Sequence, residues 1–412
     1  MARRKIREFD AKRLLFRLLS AQSGTRSLFE EYNGVLVTPH TDLAVLANVH
    51  PWLLSGKLVV KPDQLFGKRK KHGLVLVGGL FDEVCGFIRQ QRGKEIVVDG
   101  VHDVLTHFLI EPFVAHDNEY YLAFRSEREH DEIIFSDKGG IDIEENWDNI
   151  KTLRIATLDA LDRVGLGSLT DDARVQSFIS GLFDLFRKLD FTSLEFNPFA
   201  VVEGRFFLLD CVAEVDDCAS FKQMKDWQGL EFPVDFGKKI FPEETVIDEM
   251  NRKSGSAIKL TMLNPQGEIW TILAGGGASI IYLDMIANLG KGGKIANYSD
   301  ISGNTMEESY YYAKTVLELM TRHNGKVLFI AGGIANFTDV KETYAGFAKA
   351  ISEYAPVLKQ QGISIYIRRG GPHYEEGLAI MKRLKDESGL SMQVHGPEMS
   401  MPKIIQIAQE KW

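Results

Sequence analysis

A chain of 412 residues with 44% hydrophobic side chains has room for two or three domains with full cores. Its formal charge of -8 argues against a nucleic-acid binder, and no apolar run approaches the ~18 residues of a membrane span. Three irregularly spaced cysteines, Cys85, Cys211 and Cys218, suit neither a disulfide framework nor a zinc site, so the expected compartment is a reducing one, most simply the cytoplasm.

The N-terminal stretch MARRKIREFDAKRLLFRLLS is basic and amphipathic, as a transit peptide is. Glu8 and Asp10 argue against that, and the spacing of Leu14, Leu15, Phe16, Leu18 and Leu19 predicts an ordinary first helix. Next, Leu58-Val59-Val60 reads as a buried strand that delivers Lys61 to its end. Pro62-Asp63 turns the chain, GKRKKHG (67–73) makes a basic loop, and LVLVGGLF returns as a second strand. A hairpin with a basic, glycine-bearing loop can clamp a polyphosphate, with Lys61 as a fixed point charge. A solvated basic loop is the plain alternative. Phe108 to Ile110 read as a strand that ends at Glu111-Pro112. The linker EPFVAHDNE then has the character of an adenine-contacting segment, with Pro112 fixing its path and Glu119 at its end for ribose hydroxyls. Strands over 120–127 and 131–136 and a Gly139-Gly140 turn continue what could equally be an ordinary meander. A helix follows, N-capped by Asp171 or Asp172, with Val175, Phe178, Ile179, Leu182, Leu185 and Phe186 on its apolar face.

That helix leads into SLEFNPFAVVEGRFFLLDC (193–211), two aromatic and β-branched runs around a Glu203-Gly204 turn. With that turn, Val202 pairs with Arg205 and Asn197 falls opposite Asp210. Opposed side chains share a face about 5 Å apart, and Glu195 shares it too through the period of two. An amide oxygen beside a carboxylate, with few other protein oxygens, suits a hard cation that keeps open positions for phosphate and water. A solvent-facing polar face, or a bulge at Pro198 that breaks the register, is the competing reading.

The order of these pieces resembles the ATP-grasp fold of ADP- or NDP-forming acyl-CoA synthetases. The wording VHPWLLSGKLVVKPDQ, FLIEPFV, SFISGLF and LEFNPF is similar, more closely, to the citryl-CoA synthetase portion of the ATP-citrate lyase family. The resemblance implies an enzyme that uses ATP and Mg²⁺. By the family's pattern Lys61, Arg69, Lys70, Pro112, Val114, Glu119 and Asp210 match nucleotide contacts, and Asn197 and Asp210 match the Mg²⁺ pair. Lys70 departs from a glycine expected there. Asn251, Ser254 and Ser256 match positions that hold a second metal in some members, with Asn251 standing where an Asp is expected.

Pro242 to Asn251 reads as a charged connector, with the domain boundary just after Pro242. From 257 the pattern becomes strand, glycine loop, helix, four times over: IWTILAGGGAS, KVLFIAGGIANFTD, ISIYIRRGGPHYEEG and MQVHGPEMSMP each lead into a helix. Such alternation predicts a parallel, doubly wound sheet with ligands at the carboxyl ends of its strands. AGGGAS lacks the G-x-G-x-x-G spacing of a dinucleotide site. Helix starts near 279, 303 and 336 favour an anion, Asn336 and Thr338 add neutral donors, and one of Arg368 and Arg369 a carboxylate clamp. These suggest a small polycarboxylate. The family resemblance implies citrate, with Gly303, Asn336, Thr338, Tyr354 and Arg369 as contacts; core packing is the alternative for Tyr354.

The expected whole is an α/β chain. An ATP-grasp domain of mixed α+β spans 1–242, and a doubly wound, flavodoxin-like parallel-sheet domain spans 243–412. No Gly-His-flanked loop for a phosphohistidine is present; His116 and His373 read as structural or exposed. The resemblance therefore implies a hetero-oligomer whose partner subunit brings the phosphohistidine, the CoA site and the lyase module. Alternatives are a citryl-CoA synthetase subunit working with a separate lyase, a succinate-CoA ligase β subunit, or a non-catalytic nucleotide- and citrate-sensing subunit.

Overall fold

Phe191–Val202 and Arg205–Leu208 form an antiparallel hairpin in the computed structural model, with Val202 opposite Arg205 and Phe199 opposite Leu208. Glu203 and Gly204 take φ of 52° and 79°, and positive φ at both central residues is what a type I′ turn demands. The ladder is interrupted at Asn197-Pro198, a cis peptide, where the N–H groups of Leu209 and Asp210 both donate to the Pro198 carbonyl. It resumes with Glu195 opposite Val212, at the same offset, so Asn197 stays level with Asp210.

The structure describes residues 3–19, 32–140, 150–323 and 325–411, and the chain divides into two units, Met1–Lys238 and Lys239–Trp412. In the first unit the hairpin belongs to a seven-stranded antiparallel sheet. Its order runs Arg3–Ile6, Val212–Asp216, Phe191–Val202, Tyr120–Ser126, His130–Ser136, Lys151–Ala156, with Arg205–Leu208 off that path. The helix Ala173–Lys188 packs on it through Phe178, Leu182 and Phe186, and the N-terminal helix Glu8–Leu19 through Leu14 and Leu15. Asp172 caps the longer helix by accepting the Arg174 N–H at 2.8 Å. Four residues before the first helix, Arg3–Ile6, form an edge strand.

A second sheet, Val35–Val37, Phe108–Pro112, Leu58–Pro62, Leu76–Gly79, is antiparallel throughout and backed by the helix Phe81–Gln91 through Val84, Cys85 and Ile88. The basic loop joins its last two strands.

In the second unit, Ile269–Ala274, Val327–Ile334, Ser364–Gly370 and Ser391–His395 form a parallel sheet in that order. Asn297–Ser302 runs beside Ile269–Ala274 on the other side, paired in turn with Ala257–Met262. Side chains replace most of that ladder: Asn297 Oδ1 accepts the Thr271 N–H at 2.9 Å, and Ser299 Oγ accepts the Leu273 N–H at 2.7 Å. With this strand counted second, the spatial order is the flavodoxin-like 2-1-3-4-5. Helices Gly276–Ile286 and Met401–Ala408 cover one face, and Met306–Arg322, Val340–Gln360 and Tyr374–Ser388 the other.

The stretch expected to be a connector is a helix, Pro242–Ser254. Its charges hid two buried positions, Glu244 and Ile247. Glu244 is a structural acceptor that takes the N–H groups of Phe241 and Met262, both at 2.8 Å, and Gly255 ends the helix in the left-handed region at φ 71°.

Candidate functional site

The first unit encloses a cavity of about 780 Å³. Lys61, Arg69, Lys70, Pro112, Val114, Glu119, Asn197 and Asp210 all line it. They arrive from four separate stretches of chain: the strand Leu58–Pro62, the basic loop, the linker after Phe108–Pro112, and the hairpin. Val59, Val75, Val77, Phe206, Phe207 and Leu208 supply apolar walls of the kind a base needs.

The charged end of the cavity is a network around Glu8. Its carboxylate lies 2.7 Å from Lys12 Nζ, 2.6 Å from Lys61 Nζ and 2.8 Å from Arg69 Nη2. Burial alone would raise the Glu8 pKa, but Lys12, Lys61 and Arg69 hold it well below the usual carboxylate range. Lys12 also donates to both Glu111 oxygens, at 2.9 and 3.0 Å, and Lys61 to the Leu209 carbonyl at 2.7 Å. Arg69 bonds Asp210 Oδ1, which also accepts the Cys211 N–H at 3.0 Å and lies 3.7 Å from Lys61 Nζ. Asp63, directly after the Lys61 strand, accepts the N–H groups of Glu8 and Phe9 at 2.9 and 3.0 Å and so caps the first helix. Burial and then the Glu8 charge push the Asp63 pKa up to about 6.

On the hairpin side, Asn197 Oδ1 accepts the Gly140 N–H at 2.8 Å. Burial raises the Glu195 pKa, and the Asp210 charge adds to it against Arg125, which fits carboxylates held on one face. Asp210 and Asn197 both line the cavity, Asp210 Oδ1 bonded to Arg69 and the Cys211 N–H and Asn197 Oδ1 to the Gly140 N–H. Among the described residues no cluster of three or more His, Cys, Asp or Glu side chains forms a metal cage. Mg²⁺ does not require one, since it is commonly held by one or two protein oxygens together with substrate phosphates. The residues present fit such an ion. His116 is tied within the linker, Nδ1 to the Val114 carbonyl at 2.8 Å and Nε2 to Glu119 at 3.2 Å. Lys70 is exposed, unlike Arg69 beside it.

In the second unit the loops at the carboxyl edge meet one another. The Gly303 N–H donates to Thr338 Oγ1 at 3.0 Å, and the Ala335 N–H to the Gly370 carbonyl at 2.9 Å. Asn336 is exposed between them. Arg369, buried, reaches across Val327–Ile334 to the carbonyls of Ala274 at 3.2 Å and Gly333 at 3.3 Å. That point lies where the strand order reverses, which is where open α/β sheets bind ligands. Burial lowers the Arg369 pKa, and its bonds go to neutral carbonyls, so an anion there would be stabilised. Arg368 is equally buried but bonds the carbonyls of Gly332, Met399 and Pro397, a latch on the last loop.

The helix starts differ from what the glycine loops suggested. Thr305 and Glu308 form a capping box on Met306–Arg322, and Asp339 accepts the N–H groups of Lys341 and Glu342, so both first turns are already satisfied by the protein. Gly276–Ile286 has no side-chain cap. Tyr354 also stands apart. It lies 14 residues past the start of Val340–Gln360, about 21 Å along the axis, with its ring on the core near Glu318.

Family models match both units: "ATP-citrate synthase ATP-grasp domain" over residues 2–227 and "ATP citrate lyase citrate-binding" over 238–411. The Arabidopsis thaliana ATP-citrate synthase alpha chain protein 2 is 43% identical over 421 residues, covering 99% of this chain and 98% of that one. The chain belongs to the ATP-citrate lyase family. Human ATP-citrate synthase is 40% identical over 99% of this chain, which spans 38% of the human protein. A solved ATP citrate lyase from Methanothrix soehngenii, in complex with citrate and coenzyme A, superposes with a TM-score of 0.91 at 42% identity over 100% of both chains. The Methanosaeta concilii ATP citrate lyase in complex with (3S)-citryl-CoA gives 0.90 at 41%.

The chain thus carries the ATP-grasp and citrate-binding regions of ATP-citrate lyase, an enzyme family. Sequence reasoning missed Glu8, Lys12, Asp63 and Glu111. Glu8 and Lys12 do carry a signal, an i,i+4 acid–base pair on the apolar side of an amphipathic helix. The second-metal candidates serve the turn after Pro242–Ser254. Asn251 Oδ1 accepts the Ile258 N–H at 3.2 Å, Ser254 Oγ donates to the Met250 carbonyl at 3.1 Å, and Ser256 Oγ donates to Glu308 at 2.9 Å. His373 precedes Tyr374–Ser388 without a side-chain cap bond, and its Nδ1 lies 2.7 Å from Asp339 Oδ2.

Proposed function

We propose that the N-terminal domain, 1–242, binds Mg²⁺ and ATP in the 780 Å³ cavity and that 243–412 binds citrate at the carboxyl edge of its sheet. Together with a partner subunit the chain then activates citrate with ATP through citryl phosphate to citryl-CoA, for cleavage to acetyl-CoA and oxaloacetate. The observation that carries this reading is the convergence on one cavity of eight residues from four stretches of chain. Pro112, Val114 and Glu119 would take the adenine and ribose, and Lys61, Arg69 and Lys70 the phosphates. Bound between Asp210 and Asn197, Mg²⁺ would neutralise β- and γ-phosphate charge. The protein's own part is to hold the phosphates in line against fixed cations, which is most of what phosphoryl transfer asks of a protein.

Citrate would be held by Arg369, Thr338, Asn336 and the Gly303 loop. Tyr354, Asn251, Ser254 and Ser256 have less support, given the contacts above. Relatives named "alpha chain" imply a partner subunit in some species, and we assign the phosphohistidine, the CoA site and the lyase module to such a partner in a hetero-oligomer. No described helix is long and apolar enough to cross a membrane, and the three cysteines are free, which suits the cytoplasm.

Thermal-shift and calorimetric titration of the full chain tests the reading. Mg·ATP and citrate should each bind, citrate should stabilise more than succinate, and Lys61→Met should abolish only the first. Equal stabilisation by succinate would show that this site does not select citrate and would overturn the assignment of citrate to it.

A further inference from the structure

We propose that Glu8 is a positioning residue of the nucleotide site: its buried carboxylate is the shared counter-ion that aims Lys61 and Arg69 into the cavity. The proposal rests on the nucleotide reading of that cavity.

Three cations converge on Glu8. Oε1 lies 2.6 Å from Lys61 Nζ and 2.7 Å from Lys12 Nζ, and Oε2 takes Arg69 Nη2 at 2.8 Å. Its side chain is 2% exposed, so water cannot replace any of these bonds. The backbone fixes it as firmly. The N–H groups of Glu8 and Phe9 end on Asp63, which follows the Lys61 strand directly, so helix and strand are pinned to each other at the point where the charges meet. Lys61 lies on a strand and Arg69 on a loop, eight residues apart; Glu8 is the buried group that both hydrogen-bond, whereas Asp210, which also pairs with both, is partly exposed and 3.7 Å from Lys61. Arg69 is further held by the Pro62 carbonyl at 2.9 Å.

Without the Glu8 charge, the nearest anions to Lys61 and Arg69 are Glu111, at 3.5 Å from Lys61, and Asp210, at 3.7 Å from Lys61 and already bonded to Arg69. Lys61 would then turn to Glu111 or Asp210, and Arg69 would keep Asp210 as its only carboxylate partner among the described residues. Glu8 thus gives Lys61 and Arg69 a common anchor other than the metal ligand, so that Asp210 is not the sole anion holding them. A glutamine would turn a donor toward one of three existing donors, so the neutral isostere cannot reproduce the arrangement.

Calorimetry on the full chain with Mg·ATP and with adenosine tests this. Glu8→Gln is expected to weaken Mg·ATP about ten- to a hundredfold, the size of losing charge-assisted bonds. Adenosine, which lacks phosphates, should bind as in the wild type, and citrate should be unaffected. Glu8→Asp, which keeps the charge, should recover part of the loss. If Glu8→Gln fails to fold, Glu8→Gln/Lys12→Met, which removes one buried cation with the anion, should fold and show the same selective loss. Unchanged Mg·ATP affinity, or an equal loss for ATP and adenosine, overturns the proposal. Lys61→Met serves as the control: if it also leaves Mg·ATP unchanged, the nucleotide reading itself is wrong and the proposal falls with it.

Discussion

Arg369 lies over the backbone of Gly332: a β-carbon built there would sit 2.1 Å from Arg369 Nη1 and 2.6 Å from the Ala274 carbonyl oxygen. Gly332 is therefore the gap through which a guanidinium on one strand crosses its neighbour to reach the sheet's switch point. The glycine is needed for passage and not for an unusual backbone angle.

Gly332→Ala is accordingly expected to act like a change in Arg369 itself. Either Gly332→Ala or Arg369→Ala should weaken citrate by about ten- to a hundredfold, the size of one charge-assisted bidentate bond. Mg·ATP affinity should hardly move. Thermal-shift titration with both ligands measures the two effects side by side; an unchanged citrate shift in Arg369→Ala would remove Arg369 from the citrate site.

Asp210→Asn should leave the fold intact, because the side chain is 35% exposed, and should lower Mg·ATP affinity by tenfold or more. Asparagine still accepts the Cys211 N–H but loses the charge that both Arg69 and a metal require. Equal Mg·ATP affinities in wild type and variant, measured by calorimetry, would remove Asp210 from the site.

Asp63 gives a pH dependence with a definite sign. Its pKa in the folded chain is about 6, above the ~3.9 of an unfolded aspartate. Above pH 6 both states are ionised and the burial penalty is complete. As the pH falls through 6 the folded state takes up the proton first, so this group makes the fold more stable toward acid, down to about pH 4. Between pH 7.5 and pH 5 the wild type should gain roughly 1 kcal/mol relative to Asp63→Asn. Urea unfolding of both proteins at the two pH values checks it, and parallel changes would contradict the raised pKa.

The isolated chain, given ATP and citrate, should acquire no stable phosphohistidine. His116 is tied to Val114 and Glu119, and His373 to Asp339. An acid-labile, base-stable phosphate found by mass spectrometry on the chain alone would contradict this.

The hairpin part of the site was legible from local rules, whereas Arg69, Lys70 and Val114 were named by the family resemblance. Period two and a two-residue turn place Asn197 level with Asp210, and the structure keeps that offset across the Pro198 interruption because the pairing resumes at Glu195 and Val212. Alternating strands and glycine loops give a parallel sheet, since such loops are the short turns from strand into covering helix. What the sequence left undecided depends on contacts distant along the chain. Glu8 meets Lys61 and Arg69 across 53 and 61 residues, and no periodicity encodes that meeting. Asp339, Thr305 and Glu308 satisfy helix starts that sequence alone suggested were open to an anion. Tyr354 shows the limit most plainly: a tyrosine near a helix end can face core or ligand, and only the 21 Å rise of its helix, roughly 1.5 Å per residue, decides how far it stands from the carboxyl edge. Local propensity and register are set by neighbours in the chain and can be read from them. The pairing of buried charges is set by packing, and becomes visible only once the elements have closed on one another.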